Sequence, residues 1–77
     1  MDDSLKHRVR CVLAFLARHG TIVTSKDLTR YLELGNGAVA RHAVYAYVSS
    51  LGFPLYRVAY RRSSTILIWE VPPSWRP

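Results

Sequence analysis

Apolar residues recur along the first part of the chain at Leu5, Val9, Val12, Leu13 and Leu16, at i, i+4, i+7, i+8 and i+11. This spacing predicts a first helix with one buried stripe, capped by Asp3 or Ser4 and ending at His19-Gly20. Lys6, Arg10, Cys11 and Arg18 fall on its remaining surface, and Phe15 lies at the edge of the apolar arc. The β-branched run TIVT that follows is long enough for one edge strand.

A second helix is expected in TSKDLTRYLEL. Thr24 and Asp27 have capping-box spacing, and Val23 and Leu28 stand where a hydrophobic staple clasps a first turn. Leu28, Tyr31 and Leu32 are its expected core residues, and Gly35 supplies the left-handed residue that stops it. Asn36 can cap a third helix running to Ser49 after a connection of helix-turn-helix length. At about 100° per residue, Ala40, Val44, Tyr47, Val48 and Leu51 share the side that holds this helix to the others. Ala38, Arg41, His42, Tyr45 and Ser49 cluster on the opposite side, which is small, basic, hydrogen-bonding and aromatic.

After Gly52 the pattern changes to that of strands. Leu55 to Tyr60 and Thr65 to Val71 should pair as an antiparallel hairpin, with Arg61 and Arg62 at its tip. Tyr31, Tyr47, Tyr56, Tyr60 and Trp69 are assigned to packing, because the periodicity of the elements accounts for them. Pro72-Pro73 ends the sheet, and Trp75 beyond it must fold back or find a partner. The expected organisation is one domain over 1–71 and a Pro-rich tail over 72–77.

Composition narrows the chemistry. At 77 residues and 49% hydrophobic, there is room for one small core. Eleven Lys and Arg against five acids give a net charge of +6, and nine of the eleven are arginine, the side chain suited to bidentate phosphate contact. A polyanionic partner is therefore expected. The lone Cys11 excludes an internal disulfide, and His7, His19 and His42 are not at metal-ligand spacing, so no metal is expected. No apolar run approaches the roughly 20 residues of a membrane span, and the first residues lack a signal peptide's order of basic then apolar; a cytoplasmic location is expected. Paired carboxylates, an activated nucleophile and a phosphate-cradling glycine loop are all missing from the pattern, so neither an enzyme nor a cofactor is expected.

The order of helix, short strand, helix, tight turn, helix and hairpin resembles the winged helix-turn-helix family of DNA-binding domains, in its bacterial and archaeal regulator form. The resemblance covers roughly Leu5 to Val71 and is carried by TSKDLTRYLELGNGAVARHAVYAYVSSLG and the hairpin after it. It implies an α+β fold, with Asn36 to Ser49 as recognition helix and Arg57 to Thr65 as wing tip. It further implies double-stranded DNA as partner, contacted by Asn36, Ala38, Arg41, His42, Tyr45 and Ser49 in the major groove. Arg61 and Arg62 would then reach the backbone or minor groove, and Lys26 and Arg30 would brace neighbouring phosphates. Gly37-Ala38 stands where relatives often carry hydroxyl residues, and no ligand-sensing segment follows the wing, so no small-molecule effector is expected. RNA or ribosome association and a protein-interaction role are the alternatives the same fold allows. A homodimer is a further expectation, since one small domain contacts only a short site; Cys11, Phe15 and Trp75 are its candidate surface.

Overall fold

The first helix, α1 (Asp3–His19), begins one residue before the expected caps: Asp2 is the N-cap, its carboxylate accepting from the Leu5 backbone N at 2.8 Å. Asp3 instead occupies the first turn, where an acid complements the positive end of the helix dipole. These details come from a computed structural model that describes the backbone of residues 1–61 and 64–77, and the side chains of all of these except 60 and 61. Val9, Leu13 and Ala17 carry the buried stripe of α1, with Leu5, Val12 and Leu16 at its margin.

Strand β1 (Ile22–Thr24) runs directly into α2 (Ser25–Tyr31). The capping box is complete: Asp27 N donates to Thr24 Oγ1 and Thr24 N donates to the Asp27 carboxylate, both at 3.2 Å. Val23 and Leu28, the two staple residues, are fully buried. The helix stops earlier than Gly35. Glu33 takes the left-handed conformation (φ 54°), its N–H donating to Arg30 O and that of Leu34 to Thr29 O, which is the Schellman pattern. The early stop lets Leu32 and Leu34 both pack on the core, leaving Gly35 (φ 63°) to turn the chain. Tyr31 is 49% exposed rather than buried: on two turns of helix, Leu28 and Leu32 take the core positions, and Tyr31 faces Phe15 of α1, 6.0 Å between ring centres.

Gly37, not Asn36, is the N-cap of α3 (Ala38–Ser50), and no side chain caps it. Val44 and Val48 are its fully buried residues, while Ala40, expected in the core, is exposed. Gly52 (φ 89°) ends the helix with its N–H on Ser49 O.

Strands β2 (Leu55–Arg61) and β3 (Ser64–Glu70) form the expected hairpin, and β1 joins the far side of β3, giving an antiparallel sheet in the order β1-β3-β2. One face of the sheet, with Val23, Leu55, Leu67 and Trp69, packs on the helices. Trp69 is fully buried, 6.0 Å from the Tyr45 ring, and its Nε1 donates to Ser49 Oγ at 3.3 Å. Val71 is also fully buried, and its N–H donates to Thr21 O at 2.8 Å. Trp75 folds back, edge-on to Phe53 with ring centres 5.5 Å apart. Of the tyrosines assigned to packing, Tyr47 is half-buried, whereas Tyr56 is 51% exposed because it alternates to the sheet's outer face. The described residues thus form an α+β protein of three helices and one three-stranded antiparallel sheet. Among the described residues, no helix is long and apolar enough to cross a membrane.

Candidate nucleic-acid interface

Two small hydroxyl residues on α2 join three elements. Ser25, buried at the start of the helix, accepts at Oγ from the Leu67 backbone N on β3 at 3.1 Å. Its carbonyl oxygen accepts the Thr29 hydroxyl at 3.0 Å, and the Tyr45 hydroxyl from α3 lies 2.6 Å from Thr29 Oγ1. The Tyr45 hydroxyl also reaches the Ser25 carbonyl, at 3.3 Å, so the two hydroxyls share that acceptor and bond to each other, with either one able to donate. This chain of hydrogen bonds holds α3 beside α2.

Between the two helices and the 64–66 stretch of β3 lies an open cleft of about 780 Å³. Lys26 and Arg30, four residues apart, line it from α2. Arg41 and His42 line it from the first turns of α3, and Ser64 and Thr65 add hydroxyls from β3. Among the described residues, no Asp or Glu lines the cleft. Three permanent cations therefore line one space. Arg41 is incompletely bonded: one terminal N–H donates to Asn36 O at 3.4 Å, and Nε, shielded from solvent, has no partner among the described residues. A shielded donor left unpaired costs about 1–3 kcal/mol.

Of the residues singled out in the sequence, Lys26, Arg30, Arg41, His42 and Tyr45 meet in this cleft. Tyr45 does so as a brace, because its hydroxyl is engaged by Thr29 and its ring contacts Trp69. Ser49, expected on the same spare face, is turned inward and accepts from Trp69. Asn36 offers its carbonyl to Arg41, and Ala38 is exposed at the helix start outside the cleft. Arg61 ends β2, but its side chain, like the whole of Arg62, lies outside the described residues. The most exposed side of α3 carries Val39, Ala43, Ala46 and Ser50 instead, with His42 at its border. The helix is rotated from the expected orientation because Arg41 and Tyr45 are drawn against α2.

The basic surface of α1 is also partly spoken for. Arg10 donates to the Tyr47 hydroxyl at 2.8 Å, and Lys6 Nζ lies 5.8 Å from the Tyr47 ring centre, so both cations lean on α3. Cys11 is exposed with Sγ 3.5 Å from His7 Nε2, and Phe15 is 47% exposed between His19 and Tyr31. Among the described residues, no group of three or more His, Cys, Asp or Glu is placed to hold a metal ion.

Sequence reasoning missed Ser25 and Thr29, and it placed Ser64 and Thr65 in the wing tip without a role in the cleft. The available signal was the i, i+4 pairing of Ser25 with Thr29 beside the Lys26 and Arg30 pair: four polar positions at helical spacing opposite a tyrosine that needs a partner.

Comparison with known proteins finds no matching family model, no similar curated protein and no matching solved structure. The class of protein therefore follows from the fold and the cleft: a small basic α+β chain with a cationic cleft between two helices and a hairpin.

Proposed function

We propose that the chain is a winged helix-turn-helix protein that binds double-stranded DNA, with α2 and α3 as the helix-turn-helix and β2 and β3 as the wing. The observation that carries this reading is the convergence of Lys26, Arg30, Arg41 and His42 on one open cleft that, among the described residues, no acid lines. A phosphate of the DNA backbone seated there is held by Lys26 and Arg30, with the terminal nitrogens of Arg41 lining the same cleft. Ser64 and Thr65 are placed to bond the same strand. The exposed side of α3, small and apolar at Val39, Ala43 and Ala46, lets the helix approach a major groove closely and meet thymine methyl groups, while only His42 and Arg41 can read hydrogen-bonding base edges. Such an interface takes most of its affinity from phosphates and discriminates modestly between sequences.

Lys26, Arg30 and Arg41, with the hairpin arginines, amount to about three to five phosphate contacts, so raising salt from about 50 to about 200 mM should weaken binding on the order of a hundredfold. Fluorescence anisotropy with a duplex DNA and a structured RNA tests this. Arg30→Ala and Lys26→Ala should each weaken duplex binding and each reduce the salt slope by about one. A wild type that prefers the RNA, or whose duplex affinity ignores salt and both substitutions, overturns the proposal.

A further inference from the structure

Lysine and arginine stay cationic on both sides of neutral pH, whereas imidazole takes up a proton between about pH 8 and pH 5. Among the described residues lining the cleft, His42 is the one of this second kind. It is exposed on α3 and shares the space with Lys26 and Arg30 from α2 and Arg41 from its own helix. The Tyr45 hydroxyl, on the same helix, is engaged by Thr29 and the Ser25 carbonyl, and β3 contributes the alcohols Ser64 and Thr65. Arg62 and the side chain of Arg61 lie outside the described residues. The other two histidines belong to α1 and do not line the cleft: His7 lies against Cys11, and His19 is edge-on to Phe15.

This placement couples the cleft to pH. A phosphate close to an imidazole favours the protonated ring. The coupling is reciprocal, so the protonated ring favours the phosphate to the same extent. Among the described residues no carboxylate lines the space, so the anion that a protonated His42 attracts has to come with the ligand.

From this we infer that His42 makes duplex binding in the cleft sensitive to pH, joining the three permanent cations as a fourth when the pH falls below neutrality. This regulation rests on the duplex reading of the cleft. Lys26, Arg30 and Arg41 hold the phosphates at any pH, and His42 adds an increment that grows as protons become available. The dissociation constant therefore falls with pH. Because His42 is exposed, water screens its pairing with a phosphate, and the gain amounts to about threefold to fivefold.

Fluorescence anisotropy of the full chain with a rhodamine-labelled DNA duplex, over a range of salt at about pH 7.5 and about pH 5.5, tests this. The wild type should bind about threefold to fivefold more tightly at the lower pH, and its salt slope should steepen by about 0.9, the share of one further phosphate contact. His42→Gln should keep the high-pH affinity and slope at both pH values. His42→Lys, whose charge does not titrate in this range, should bind at both about as tightly as the wild type does at the lower one. The double variant His7→Gln, His19→Gln should respond as the wild type does. Duplex binding whose affinity and slope are the same at both pH values overturns the inference and leaves the duplex reading standing. A response that His42→Gln retains, or that the α1 double variant abolishes, does the same. A wild type that binds no duplex at either pH overturns both.

Discussion

Glu33 is the residue at which the backbone is least comfortable. It holds the left-handed conformation that ends α2, a conformation costing an L side chain about 1–2 kcal/mol and glycine almost nothing. Glu33→Gly should therefore stabilise the fold by about 1 kcal/mol, read as a thermal midpoint higher by roughly 4–8 °C. Gly52, which ends α3 at φ 89°, should show the opposite sign. No atom stands within 4 Å of a Cβ built there, so Gly52→Ala costs only the backbone strain, again about 1 kcal/mol. Tyr56 gives a test by pH. Its hydroxyl donates to the Glu70 carboxylate, and that bond, with the nearby negative charge, raises its pKa above the ordinary tyrosine value. The stabilisation is present below the unfolded tyrosine pKa of about 10 and is lost as pH rises through the higher folded value. An ultraviolet titration should show Tyr56 ionising above the ordinary tyrosine value, and Glu70→Gln should lower its pKa.

At the scale of elements, α2 decides whether the cleft exists. Seven residues cannot sustain a helix alone, so α2 persists through its capping box, its staple and the Ser25 bond to β3. Thr24→Ala removes half of the box and should cost about 1 kcal/mol by chemical denaturation. Because the loss falls on the element that carries Lys26 and Arg30, duplex affinity should fall although no charge has been removed. Tyr45→Phe acts on the same joint from α3. It removes the hydroxyl that bonds Thr29 and the Ser25 carbonyl, while Thr29 keeps its own bond to that carbonyl, so it should cost about 1 kcal/mol, with the buried packing otherwise intact. The local signals of α2 were legible in the sequence because a capping box is a short-range pattern. The end of the helix was not: glycine marks the cheapest left-handed position, and the need to bury both Leu32 and Leu34 placed the turn on Glu33 instead.

For the whole molecule, the core is small and depends on few side chains. Trp69 is its largest fully buried residue, and Trp69→Ala should cost about 3–5 kcal/mol, enough to unfold much of a population of a domain this size; near-ultraviolet circular dichroism would report the loss. The helices, the hairpin and the basic balance follow from the sequence alone, because helical stripes, caps, turn residues and net charge are properties of neighbours along the chain. So does the presence of Lys26, Arg30, Arg41 and His42 on helices α2 and α3. Their meeting in one cleft does not, nor does the inward turn of Tyr45 and Ser49. A wheel drawn for α3 shows two usable faces, and only the position of Trp69 and of the Ser25–Thr29 pair selects which one the fold consumes. The placement of β1 beside β3 is likewise a tertiary outcome, since three residues have no pairing preference of their own. That placement completes the outer sheet face around Ile68, where residues 46 positions apart in the chain, Ile22 and Ile68, share one apolar surface.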